Sequence, residues 1–475
     1  MLSFSQTNSP LIALIVAWTA LTGFMAADGL AQQPIQLPGK GPAYTGSPVN
    51  DTSFGIVGEF VGKLIADSSK PTMLGLQVRK AVGKDRFTAI AYRGGLPGQP
   101  QCDLKPIEME GRELGGLLVL SGGPWAMLVN KEVCRVVDRS GNTIAELKKI
   151  KRSSPTMHSP APQGATILFD GTGTSQFSNA NMSTEGWLKE GALVKPLFQD
   201  YNLHAEFRLP YMPEAEGQKR GNSGMYLQCR YECQVLDSFA TIPVASGCGA
   251  IYRFKKPDLN MCLPPLSWQT YDIKFTSPRW DSDGNKIRNA SISSWLNGVK
   301  IQDDVSLPNK TGAGQPEEPS LLPIRIQNHG DPVRFRNVWI ADRGLIDMTE
   351  FPIKTTKQQR KDAARRYREL NKQRMQLAKQ QQEQRKLEAQ RVLDARRKQR
   401  DEAIQKAIQE INQELGFSND SAQSSDAKPN QTAEGTSNKP VQEASDKPVQ
   451  KESKKVPEPA DKSYSASENR KSDSE

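Results

Sequence analysis

Histidine is nearly missing from this chain, with three residues in 475, and none of the six cysteines stands in a C-x-x-C spacing. Together these shortages argue against a structural zinc site and against a dithiol redox motif. The first ten residues, MLSFSQTNSP, carry neither Lys nor Arg. Apolar residues make up only 36% of the chain, low for a wholly globular protein, so a sizeable part of it cannot be core-forming. Strands and helices do not alternate along the chain, which excludes a parallel doubly wound sheet. At this length one domain is not enough, and at least two folded units with appendages are expected.

What is present begins with an apolar run, Leu11 to Met25, followed by the small-residue pattern Gly29-Leu30-Ala31. This pattern predicts a secretory leader over residues 1–31 and an exported product, periplasmic, extracellular or cell-surface. The alternative, an uncleaved membrane anchor, has a run shorter than the ~20 residues a span needs. Export and an even cysteine count favour disulfides. Cys102 with Cys134 is the natural pair of the first domain, and Cys248 with Cys262 would close the intervening loop. On a straight strand Cys229 and Cys233 would stand ~13 Å apart, too far for a bridge, so they could pair only across a hairpin turn at Arg230 and Tyr231.

Residues 32–51 are rich in Pro and Gly without periodicity and read as a linker. Residues 52–151 hold short β-rich runs punctuated by glycine pairs, with DRSGN as a hairpin turn, predicting a small antiparallel accessory domain without clustered His, acid or phosphate-loop chemistry. A proline-rich segment, 152–164, marks the next boundary. From 165 to 350 come many short strands, among them YNLHAEFRLP, SGMYLQ, YECQVLD, QTYDIKFTSP and VRFRNVWIAD, whose alternation predicts one buried and one wetter face in an antiparallel jelly-roll sandwich. The fold class is therefore all-β. Residues 357–415 lack Gly and Pro and carry 17 Lys and Arg against 9 Asp and Glu, predicting a long basic helix or partial coiled coil. Its expected roles are self-association or contact with an anionic surface polymer; no base-reading motif is present, and nucleic acid is not expected as a partner. Residues 416–475, Ser-, Lys- and acid-rich with KPVQ repeated, read as disordered.

The stretch GNSGMYLQCRYECQVLDS, Gly221 to Ser238, sets acids and amides inside an apparent strand pair. Side chains at i and i+2 share a strand face, so Glu232 and Gln234 project together, whereas Asp237 has the opposite parity. In order along the chain, LFDG (168–171), EGWLKEGALV (185–194), YNLHAEFRL (201–209), NSGMYLQ (222–228), YECQVLDS (231–238), CGAIY (248–252), WQTYDIKF (268–275), LNGVKI (296–301), IQNHG (326–330) and VRFRNVWI (333–340) resemble the 3-keto-disaccharide hydrolase domain family. The resemblance implies a concanavalin-like lectin/glucanase sandwich acting on 3-keto glycosides. Sandwich glucanases cleave with two carboxylates; here Gln234 stands where a second acid would be.

A 3-keto sugar permits another route, since the ketone acidifies the proton at C2 and the glycosidic oxygen lies β to it. One base and an oxyanion stabiliser then suffice for elimination, with hydration completing a net hydrolysis. The candidate acid/base residues are Glu232 and His329, with Asn222, Gln234 and Asp237 for hydroxyl contacts. Glu232, Asp237 and His329 also form a mixed oxygen and nitrogen set that would suit a divalent cation such as manganese, calcium or zinc. Arg334 and Arg336 read as an exposed face or ion pairs, and Trp187, Trp268 and Trp339 as core. The alternative function on the same sandwich is non-catalytic glycan binding at the cell surface.

Overall fold

The computed structural model describes residues 33–48, 51–64 and 72–414. The expected leader and tail lie outside these residues. Among the described residues no helix is long and apolar enough to cross a membrane. The chain divides into two compact units, one through Val392 and one from Leu393.

In the first unit the accessory domain is an eight-stranded closed barrel, in the order Thr143–Ile150, Gly58–Leu64, Thr72–Lys80, Arg86–Arg93, Ile107–Leu114, Leu117–Ser121, Ala126–Val129, Val133–Val137. Its strands obey the two-residue period: Leu118 and Leu120 are buried while Leu117 and Val119 are exposed. Closure leaves the sheet without free edges.

The sandwich follows. One sheet runs Thr166–Phe169, Arg334–Asp342, Tyr201–Arg208, Trp268–Thr276, Ala290–Leu296, Val299–Leu307, with Leu188–Lys189 pairing onto Arg334–Asp342. The other runs Phe177–Ser178, Leu193–Val194, Arg325–Ile326, Ser223–Leu227, Tyr231–Val235. Tyr201, Phe207, Tyr231, Tyr271 and Phe275, all 0% exposed, meet between them, each burial contributing about 2 kcal/mol. The expected wetter face of Tyr201–Arg208 is not found: every residue from Tyr201 to Phe207 is buried. The reason is the segment 152–164, which does not behave as a loose linker. Ser154, Thr156 and Ser159 are buried, and Thr156 hydrogen-bonds Asp272 Oδ2 at 2.7 Å, so this segment roofs the outer face of the large sheet.

Of the expected linker at 32–51, the described residues 33–48 are also structured. Ile35–Leu37 pairs with Gly41–Ala43, and Tyr44 exchanges both backbone hydrogen bonds with Tyr211 at 2.9 Å. Gly39 and Gly41 supply the left-handed conformations (φ +69° and +74°) that the intervening turn needs.

The helix spans Lys357–Glu414. Its first turns are not simply solvated: Arg336 lies 4.8 Å from the centre of the Tyr367 ring, and Arg374 packs over Gly171 and Gly186.

All six cysteines are free thiols. Cys134 faces the barrel core while Cys102 is part-exposed in the loop after Arg86–Arg93, and the structure does not join them. A hairpin does form at 228–230, but Cys229 lies in the turn and Cys233 pairs with Met225, so the two do not face each other. Cys248 and Cys262 do lie together, sharing a side-chain hydrogen bond that, after burial, helps push the Cys262 thiol up.

Candidate active site

The strand pair Ser223–Leu227 and Tyr231–Val235 has two chemically distinct faces. In register, Tyr226 opposes Glu232 and Gly224 opposes Gln234, while Met225 opposes Cys233 and Leu227 opposes Tyr231. Arg325 on the neighbouring strand is paired with Tyr226, and Ile326 with Met225. Directly paired residues share a face, so Met225, Leu227, Tyr231, Cys233, Val235 and Ile326 point into the core. The opposite face carries Gly224, Tyr226, Glu232, Gln234 and Arg325, and alternation extends it to Asn222 and Gln327. The acids and amides of Gly221–Ser238 are thus the outer side of a strand pair whose inner side is apolar.

Glu232 is the one carboxylate in this row, and it is 2% exposed. The Tyr226 hydroxyl donates to its Oε2 at 2.6 Å. Burial raises its pKa, and the hydrogen bond from Tyr226 with the charges of Arg325 and Arg253 only partly offsets this. Two glycines leave room around the carboxyl. A Cβ on Gly224 would lie 2.7 Å from Glu232 Oε1 and 3.0 Å from Gln327 Oε1, and one on Gly312 would lie 2.8 Å from both Glu232 Oε2 and the Tyr252 ring. Gln327 Oε1, Asn222 Oδ1 and Arg325 Nε are buried without a protein partner. An array of unpartnered acceptors and one guanidinium donor suits a polyhydroxylated ligand, whose hydroxyls both donate and accept.

Residues 164–341 match a 3-keto-alpha-glucoside-1,2-lyase-like domain. A Parabacteroides distasonis protein provisionally described as a glycosyl hydrolase is 30% identical, the alignment covering 38% of this chain and 84% of that one with a TM-score of 0.36. The chain belongs to this lyase-like family. Carbohydrate is accordingly the class of molecule its site serves. Two further P. distasonis structures, described in the same way, are 17% and 20% identical, cover 39% and 38% of this chain and 95% and 100% of theirs, and have TM-scores of 0.28 and 0.27. No curated protein matches the chain.

Within the lyase-like domain the structure brings Glu232, Gln234 and Asn222 together. Gln218 links the last two, accepting from Asn222 Nδ2 through its carbonyl at 2.8 Å and from Gln234 Nε2 through its side chain at 3.1 Å. Asp237 is elsewhere. Its Oδ2 accepts from Arg220 Nε at 2.6 Å, both residues are about 1% exposed, and the Arg79 guanidinium of the barrel donates to its backbone oxygen at 3.3 Å. Its opposite parity sends it to an ion pair where sandwich and barrel meet. His329 is an exposed loop residue whose carbonyl, not its ring, makes the defined contact, with Lys40; partial desolvation and the Lys40 charge lower its pKa against the pull of Asp331. The expected metal set of Glu232, Asp237 and His329 is therefore not assembled, since Asp237 is taken up by Arg220. Among the described residues no group of three or more His, Cys, Asp or Glu is placed to hold a metal ion.

Sequence reasoning passed over a second buried cluster. His204 Nδ1 lies 2.7 Å from Asp272 Oδ1, Arg336 Nε donates to Glu206 Oε2 at 2.7 Å, and Asn337 Nδ2 donates to Glu206 Oε1 at 3.0 Å. The His158 backbone N–H, from the roofing segment, adds a bond to Glu206 Oε1 at 2.6 Å. Trp339 stacks on His204, and Arg336 lies over Trp268. Arg334 pairs with Glu190 at 2.9 Å, so both arginines make ion pairs. Cross-strand opposition of His204 and Asp272 was the available signal, and it required the strand register.

Proposed function

We propose that the chain is an exported carbohydrate-active enzyme cleaving 3-keto glycosides by elimination, on a concanavalin-like jelly-roll sandwich, with Glu232 as the base. The observation that carries this reading is the single carboxylate in the polar row. Two-carboxylate hydrolysis needs a second acid about 5 to 10 Å away, and Gln234 occupies that side of the row.

Glu232 Oε1, the oxygen that Tyr226 does not touch, takes the proton from C2 of the sugar. The C2–H electron pair becomes the C1=C2 bond. The C1–O bond breaks with its pair leaving on the aglycone oxygen, which takes the proton from Glu232 and restores the carboxylate. Charge develops on the C3 oxygen, and Arg325 with the amide end of Gln327 supplies donors on the same face. Water added across the double bond would complete a net hydrolysis. A carboxyl held above its ordinary range is a stronger base than a solvated one and holds the abstracted proton more readily.

The test is Glu232→Gln in the full chain, assayed on a 3-keto disaccharide by loss of substrate and appearance of the ultraviolet absorbance of the conjugated enone. General-base loss should slow turnover by about 10² to 10⁴. Turnover at the wild-type rate would reject Glu232 as base. Glycan binding by a wild-type protein with no turnover would instead support a non-catalytic binding role.

A further inference from the structure

The polar row is held in place from outside the lyase-like domain. Lys40, in the turn of the N-terminal hairpin, places Nζ 2.5 Å from Asp331 Oδ1 and 2.8 Å from the His329 carbonyl oxygen. The Asp331 side chain is fully buried, and its second oxygen accepts the Asn222 backbone N–H at 2.7 Å. Asn222 immediately precedes the strand Ser223–Leu227, which carries Gly224 and Tyr226. From the other side, the Gln327 N–H donates to the Gly224 carbonyl at 2.8 Å, and the Ser223 hydroxyl donates to the Gln327 carbonyl at 2.8 Å. One carboxylate, neutralised by one lysine, thus ties together the two backbone segments whose side chains surround Glu232.

The hairpin is docked independently of this contact. Its backbone bridge joins Tyr44 to Tyr211, Leu37 and Ala43 pack with Met212 and Ala215, and a Cβ on Gly41 would strike Glu214 at 2.5 Å. Lys40 is therefore delivered to Asp331 by a fixed support. Without it, Asp331 would keep a buried charge facing only backbone N–H groups, and the lowest-cost relaxation is to swing the 328–331 loop toward water.

We propose that Lys40 is a positioning residue for the Glu232 site, and that residues 33–48 act as a strap completing a site whose other residues lie within 164–341. The activity part of the proposal rests on the elimination reading; the structural part does not.

The test compares Lys40→Met and Lys40→Arg with wild type in the full chain. Hydrogen exchange followed by mass spectrometry reads the segments 222–228 and 327–331, with barrel strand Thr72–Lys80 as internal control. Loss of a charge-assisted hydrogen bond should speed exchange in both site segments about tenfold while the control strand is unchanged, and Lys40→Arg should restore most of the protection. With a 3-keto disaccharide, kcat/KM should fall about tenfold, in line with that loss, and the pH optimum should not move because Glu232 is untouched. Site segments exchanging as in wild type would overturn the proposal. So would faster exchange in the control strand as well, which would mean that Lys40 stabilises the fold as a whole. A wild-type protein without turnover would remove the elimination reading, and the exchange data would still decide the strap.

Discussion

The buried cluster beneath residues 154–159 makes stability depend on pH in a direction that can be worked out. Burial by itself lowers the His204 pKa, but the charge and hydrogen bond of Asp272, followed by Glu206, outweigh it and hold it at about 9. For a folded value raised above the unfolded one, the stabilisation is fully present below about pH 6.5, shrinks through the interval, and is gone above about 9. The step from 6.5 to about 9 corresponds to about 3 kcal/mol. Lys149 in the barrel works in the opposite sense. Burial lowers it to about 8, so stability from this group rises as pH climbs from there toward its ordinary value. Comparison with His204→Gln therefore isolates the effect better than the wild-type curve alone. Urea midpoints should be measured from pH 6 to 9.5 for both proteins, a span covering the interval above. The stability gap between them should be largest at the acid end and narrow by about 3 kcal/mol at the alkaline end. A gap constant across the range would refute the assignment of a charged, ion-paired His204. If the variant does not fold, a wild-type stability rising from pH 6.5 to 8, below the range in which Lys149 acts, would do so.

Gly224→Ala should leave the fold intact, changing stability by about 1 kcal/mol, because the atoms nearest the new methyl are side-chain atoms, Oε1 and Cγ of Glu232 and Oε1 of Gln327, and none is backbone. By filling the space over the carboxyl it should reduce 3-keto disaccharide turnover at least about tenfold, a displacement of the base by about 1 Å being enough; undiminished turnover would show that substrate does not approach Glu232 over Gly224. Asp237→Asn strips Arg220 of its buried partner and should cost about 3 kcal/mol in denaturant unfolding with little change in kcat. A loss of kcat without loss of stability would return Asp237 to the catalytic residues.

How much of this was legible depended on the range of the interaction. The alternation of YECQV was enough to put Glu232 and Gln234 on one face and to separate Asp237 from them by parity, and this holds in the structure. The partners of Asp237 were not legible, because Arg220 reaches it from a loop 17 residues earlier and Arg79 from the barrel, and no local pattern encodes either contact. His204 and Asp272 stand 68 residues apart and meet only once two strands are in register. The Pro- and Gly-rich segments 32–51 and 152–164 read as linkers because they lack periodicity. They dock through single residues, Tyr44, Thr156 and His158 among them, each finding its own partner. Arg325 sits on a two-residue strand and Gln327 just after it, too short a run to announce a face.

The alternation of the strand pair bears on how faithfully the chain must fold. A slip of one residue between Ser223–Leu227 and Tyr231–Val235 would exchange every side chain between faces. Tyr231, Cys233 and Val235 would turn outward, and Glu232 and Gln234 would enter a core containing Phe275 and Tyr271. An unpaired carboxylate and an amide there would each forfeit several kcal/mol, so the misaligned hairpin is discriminated against by the same polar row that we propose for the chemistry. Gln228 and Cys229, both left-handed in the turn with φ of +48° and +51°, set the loop length that enforces the correct alignment. Substitutions at those two positions are where this chain is most exposed to a misfolded competitor, in the turn and outside the polar row.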